Sequence, residues 1–131
     1  MQQARLKDVP FFHDMSKKDL AVLAQQTDEL DVPAGKVLAR EGDFGHEFFV
    51  IETGTADVER GGKRIGQLGA GDFFGEMALL EEDRRTATVT ATSPMTVVVM
   101  TRSSFRTLDR SMPAVHATVT QAIADRHASM S

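Results

Sequence analysis

Gly75, Glu76, Arg84 and Arg85 are the residues of this chain best suited to chemistry, and together they fit the capture of an anion that also carries hydroxyl groups. Gly75 permits a tight turn with positive φ or a close backbone approach. Glu76, Met77, Ala78, Leu79 and Leu80 are good helix formers, but they make only about a turn and a half. A helix that short adds little stability. Its useful feature is its N-terminus, where unpaired N–H groups and the positive dipole end suit an anion. An arginine aimed at the same point binds phosphate through a forked, charge-assisted pair. Glu76 is an acceptor only, so it serves a ligand that offers hydroxyl donors, as a ribose does. An acid and an arginine in one small cradle point to a nucleotide rather than to bare phosphate.

The elements that must position these residues read as short strands between helices. The N-terminal segment carries an apolar cluster of Leu6, Val9, Phe11 and Phe12 that docks on the domain. Ser16 caps a helix predicted from Lys17 to about Thr27, with Asp19 in its first turn and Leu20, Leu23, Ala24 and Thr27 inward. From Leu30 to Thr101 the pattern changes to strands: Val37-Leu38, Phe48 to Ile51, Ala56 to Arg60, Phe73-Phe74, Thr86 to Thr92 and Thr96 to Met100. Pro33-Ala34-Gly35, Gly42-Asp43-Phe44-Gly45 and Gly54 mark turns, and Gly61-Gly62 is a hairpin signal. Thr101 caps a further helix to about Arg110, with Phe105 and Leu108 inward. Pro113 opens another, in which Met112, Val115, Val119 and Ile123 share one face. Many short strands with regular glycine turns indicate an antiparallel sandwich or roll.

The chain has 131 residues, the size of one domain, with 41% hydrophobic content and a formal charge of −4. The segments expected within it are 1–29 helical, 30–101 strand-rich and 102–131 helical. An acidic chain excludes a general nucleic-acid surface. From Gly71 to Thr90, Asp72, Glu76, Glu81, Glu82 and Asp83 outnumber Arg84 and Arg85, so an anion is held there by short-range contacts rather than long-range steering. There is no cysteine, hence neither disulfide nor thiolate metal site. No apolar run reaches membrane-spanning length, and the first residues lack a signal-peptide core, which gives a cytoplasmic address by default.

The stretch Phe73 to Val89, FFGEMALLEEDRRTATV, resembles the phosphate-binding cassette of the cyclic nucleotide-binding domain family, which includes catabolite activator proteins, protein kinase A regulatory subunits and cyclic-nucleotide-gated channels. The resemblance implies a mainly β fold with flanking α-helices. That fold is an antiparallel β-roll, a jelly-roll-like double-stranded β-helix, with one N-terminal and two C-terminal helices. It implies cAMP or cGMP as ligand, with cAMP favoured and no metal or other cofactor. Ligand contacts are implied for Phe74, Gly75, Glu76, Met77, Ala78, Leu79, Arg84, Arg85, Thr86, Ala87 and Val89. Of these, Glu76 faces the ribose 2′-hydroxyl and backbone N–H groups near Ala78 and Ala87 face the ligand. By register Arg85 rather than Arg84 takes the cyclic phosphate. Arg84 stands where the family often has proline, and it is expected in solvent or paired with Glu81, Glu82 or Asp83. A hydroxyl at Thr86 would reach a guanine amino group, and Val50 and Val89 would line the purine. With neither tryptophan nor tyrosine available, Ile123, Arg126, His127 or Met130 would cap the base as a C-terminal lid.

Other classes fit less well. Phe48, Phe49, Phe73 and Phe74 read as core rather than as a stacking platform. His13, His46, His116 and His127 are scattered, without the paired histidines a cupin-type metal site requires. No catalytic serine elbow or kinase motif set occurs, so an enzyme is not expected. No helix-turn-helix follows the last helix, which leaves a free-standing sensor module or the sensor part of a regulator, channel or enzyme. A roll that has lost its ligand and serves as a protein scaffold is the reading from another class. The Met112–Ile123 stripe offers a face for the roll, for another protein or for a second copy.

Overall fold

Two four-stranded antiparallel sheets face one another, and the strand order in each is set by connections that cross between them. The computed structural model describes residues 16–75, 84–111, 113, 117, 120 and 121, with backbone only at 108, 109 and 111. The chain enters through α1 (Lys17–Gln25), where the Ser16 side chain accepts from the Asp19 N–H at 3.1 Å. That bond satisfies one of the orphan donors of the first turn. Leu20, Leu23 and Ala24 are buried, and Thr27 closes the end by donating to the Leu23 carbonyl at 3.1 Å. The helix stops at Gln25, two residues short of the expected end, because strand begins at Asp28.

The strands are β1 (Asp28–Val32), β2 (Val37–Ala39), β3 (Glu47–Thr53), β4 (Ala56–Arg60), β5 (Lys63–Leu68), β6 (Phe73–Phe74), β7 (Thr88–Ala91) and β8 (Met95–Thr101). One sheet runs β1-β8-β3-β6 and the other β2-β7-β4-β5. This is the antiparallel β-roll that the family resemblance implies, one of the two architectures left open by the turn spacing. The Gly61-Gly62 signal is borne out: Arg60 pairs with Lys63, and both glycines have positive φ, 61° and 79°. Such a turn matches strand twist and excludes side chains with a Cβ at low cost.

Side-chain alternation sorts the core into two faces. Phe49, Ile51, Phe74, Val89, Ala91, Val97 and Val99 pack into one cluster between the sheets. Phe48, Val50, Val98 and Met100 alternate with them and are equally buried, so the outer face of the first sheet is covered too. The helix α2 (Arg102–Ser111), with Phe105 buried, packs against β8 and supplies part of that cover. Its first turn is capped by Thr101, which accepts from the Ser104 N–H at 3.1 Å. Residues 113, 117, 120 and 121 are also helical, in keeping with the helix expected after Pro113. The apolar stripe of that helix and the lid candidates Ile123, Arg126, His127 and Met130 lie outside the described residues. Among the described residues no helix is long and apolar enough to cross a membrane.

Candidate functional site

The two phenylalanines of β6 set the position of the site. Phe74 stacks on Phe49 with ring centroids 4.8 Å apart and planes 15° apart, and Phe73 meets Phe48 edge-on at 5.5 Å. Both rings are core, as their composition suggested. Phe74 therefore serves the site by anchoring the backbone that turns at Gly75. At Gly75 φ is +79°, a conformation that glycine adopts without the clash a Cβ would bring.

Arg85 lies in the hollow that this turn leaves. Its Nη2 donates to the Glu47 carbonyl at 2.8 Å, and its side chain is wedged between two glycines. A Cβ on Gly45 would stand 2.5 Å from Arg85 Cζ and 2.9 Å from Cδ. A Cβ on Gly75 would stand 2.7 Å from the Glu47 carbonyl and 3.3 Å from Arg85 Cζ. Gly45 itself is buried and Arg85 is half-buried, so the guanidinium is a fixed charge in a partly dry wall. A charge held this way interacts more strongly with an anion than an exposed one, because solvent screens it less.

The backbone around Arg85 is stitched down from both sides. The Arg85 N–H donates to Asp43 O at 2.7 Å and the Gly42 N–H to Arg85 O at 2.9 Å. Arg60 Nε, at the tip of the β4–β5 hairpin, donates to Thr86 O at 3.1 Å. The Glu41 N–H donates to Thr88 Oγ1 at 2.9 Å, and Glu41 Oε1 accepts from the Gly61 N–H at 3.0 Å. The loop 41–47 and the hairpin tip thus hold segment 84–88 in place. Neither partner carried a signal for this in the sequence beyond the Gly42 and Gly45 spacing, since both contacts are long-range.

Arg84 points elsewhere. Its Nη1 donates to Gly42 O at 2.8 Å, and its guanidinium sits 4.4 Å over the ring of the exposed Phe44. Arg84 was expected in solvent or on the acids 81–83; the carbonyl and the ring are the partners found here, and those acids lie outside the described residues. Two adjacent strand-like residues face opposite ways, which is why one arginine enters the hollow and its neighbour lies on the surface.

Thr86 is exposed and Ala87 half-buried beside Arg85. Val89 packs in the cluster between the sheets, whereas Val50 is on the other face of β3. The two valines therefore do not share one pocket wall, contrary to the expectation that both line the purine. Glu76, Met77, Ala78 and Leu79 lie outside the described residues. Thus Gly75, Arg85, Thr86 and Ala87 are brought together, with Gly45 and Glu47 as unforeseen members.

Known proteins share both the sequence and the fold of this chain. The model of the cyclic nucleotide-binding domain family matches residues 29–111, which take in every strand except the first residue of β1 and all of α2. This chain belongs to the cyclic nucleotide-binding domain family. It is 41% identical over 104 residues to a cAMP-dependent protein kinase regulatory subunit of Eremothecium gossypii, covering 79% of this chain and 23% of that protein. Among solved structures, a cyclic nucleotide-binding domain from Methylobacillus flagellatus superimposes with a TM-score of 0.81 at 25% identity, covering 97% of this chain and 76% of the other. The regulatory domain of Toxoplasma gondii protein kinase A, crystallised with cAMP, gives a TM-score of 0.74 at 26% identity, covering 94% and 48%. The chain spans about a quarter of the length of the regulatory subunit it matches.

Proposed function

We propose that this domain binds a 3′,5′-cyclic nucleotide, cAMP in preference to cGMP, and reports it to a partner rather than transforming it. The observation that carries the reading is the half-buried Arg85 guanidinium, held between Gly45 and Gly75 and oriented by the Glu47 carbonyl. A cyclic phosphate is a single negative charge with two exocyclic oxygens, which suits a planar fork of N–H donors. The ribose 2′-hydroxyl then falls to Glu76, and N–H groups near Ala78 and Ala87 complete the phosphate cradle. Thr86, exposed beside the arginine, is available to a purine edge and would accommodate guanine. The C-terminal segment carrying Ile123, Arg126, His127 and Met130 closes over the base. Ligand favours that closed arrangement by as much as it binds it better.

Two or three charge-assisted bonds plus purine burial, less the cost of association, give an affinity near micromolar, about −8 kcal/mol. Titration calorimetry tests the assignment. Arg85→Leu should weaken cAMP binding by roughly two to three decades, the cost of leaving a partly buried phosphate unpaired. Unchanged affinity in that variant would remove Arg85 from the site. For Glu76, wild type and Glu76→Ala should bind 2′-deoxy-cAMP about equally; clearly tighter binding of the deoxy ligand by wild type than by Glu76→Ala would take the ribose away from Glu76.

A further inference from the structure

A second basic cavity lies next to the cradle. Its volume is about 480 Å³, and among the described residues it is lined by His46, Thr101, Arg102, Ser103, Arg106, Thr107 and Arg110. The last five of these are on α2, and three of them are arginines spaced four residues apart. At 3.6 residues per turn such a series drifts by roughly 40° per step and climbs about 6 Å. The three positions therefore follow a slanting ribbon about 12 Å long that starts roughly 60° from buried Phe105 at half-buried Arg102 and turns away from it through Arg106 to Arg110. Arg106 and Arg110 are exposed, and among the described residues no carboxylate pairs with either. In a chain of net charge −4, three arginines and a histidine on one cavity wall are a local reversal of sign.

We propose that this cavity is a second anion site, which takes a small oligophosphate with at least two charged groups in a row. Its volume is within the range of small-molecule sites. Guanidinium forks match phosphate oxygens in pairs, and the hydroxyls of Ser103 and Thr107 and the His46 ring add short polar contacts along the wall. The run of three guanidinium groups, about 12 Å along the helix, is longer than one phosphate group, so a chain of linked phosphates engages more of it than a single group does. The site shares a wall with the Arg85 cradle. Arg102 Nη2 donates to Gly45 O at 3.2 Å and the Arg102 N–H to His46 O at 3.0 Å, while Arg85 takes the next carbonyl, that of Glu47. Three consecutive carbonyls are thus divided between the two sites.

The test is calorimetric titration of the whole chain with sodium tripolyphosphate, in wild type and in an Arg85→Gln background that removes the first cradle. Binding should persist in Arg85→Gln. It should weaken by about a hundredfold in Arg106→Gln/Arg110→Gln, about tenfold for each lost charge-assisted pair. The corresponding lysine pair should recover part of the affinity, because charge returns without the fork. Both substituted side chains are on the surface, so thermal unfolding should move little and a folding defect is distinguishable from loss of the site. Equal affinity in the double glutamine variant, or no binding of tripolyphosphate at all, overturns the proposal. Citrate or hexaglutamate binding as tightly as tripolyphosphate also overturns it, the latter in favour of an acidic protein partner.

Discussion

Two glycines determine whether Arg85 can occupy its place. Gly45 has no positive φ, so alanine there strains no backbone, yet its methyl would overlap the Arg85 side chain. Gly75 combines both problems, a φ of +79° and a carbonyl 2.7 Å from the would-be Cβ. The two alanine variants should therefore separate. Gly45→Ala should displace the guanidinium and cut cAMP affinity by about tenfold or more, with a stability loss of about 1 kcal/mol. Gly75→Ala should lose affinity and also about 2 kcal/mol or more of stability. Chemical denaturation beside calorimetry on each variant checks the pair. A Gly45→Ala protein with native affinity would mean that Arg85 has room to move. Arg84 offers a control at the same scale. Its partners are Gly42 O and Phe44 on the surface, so Arg84→Gln should change cAMP affinity by no more than a few fold.

The elements divide into those that touch the site and those that carry the frame. Strand β6 is only two residues long, so its hydrogen bonds to β3 are few, and the Phe49–Phe74 stack does much of the anchoring. Phe74→Leu should cost about 1–2 kcal/mol and loosen the turn at Gly75, weakening nucleotide binding as well. Helix α1 is part of the frame. Ser16→Ala removes its cap and should cost about 1 kcal/mol in urea unfolding while leaving cAMP affinity within a few fold of wild type. If the cap variant lost affinity as strongly as the β6 variant, the division between frame and site would be wrong. The element boundaries show what was legible. The hairpin at Gly61-Gly62, the cap at Ser16 and the cap at Thr101 are local devices, and each is where the residues indicate. The β7 strand is shorter than the Thr86 to Thr92 run, because Thr86 and Ala87 lie in a segment held by loop 41–47 and the hairpin tip, and pairing with β4 begins only at Thr88.

At the scale of the molecule, ligand binding and folding are linked. A ligand that binds only the folded state at a hundred times its Kd stabilises that state by about 2.7 kcal/mol. For a domain of 131 residues this corresponds to a rise of about 10 °C in Tm. Differential scanning calorimetry with cAMP and with cGMP should show the rise for both and the larger one for cAMP. A flat response to both nucleotides would favour the scaffold reading. The chain's acidic charge leaves no long-range pull on an anion, so the rise should depend only weakly on salt.

The sequence by itself determined the class of fold and the cassette, and by family register it favoured Arg85 over its neighbour. These follow from short-range rules: alternation, turn glycines, capping residues and a contiguous motif. It did not disclose that loop 41–47 forms the back of the cradle, that Gly45 is what Arg85 rests against, or that Arg84 stacks on Phe44. It placed Val50 and Val89 together, although they belong to different sheets and only Val89 joins the cluster between them. Those facts depend on which residues far apart in the chain become neighbours when the two sheets close. Such pairings are decided by the packing of the whole roll, and no local stretch contains that information.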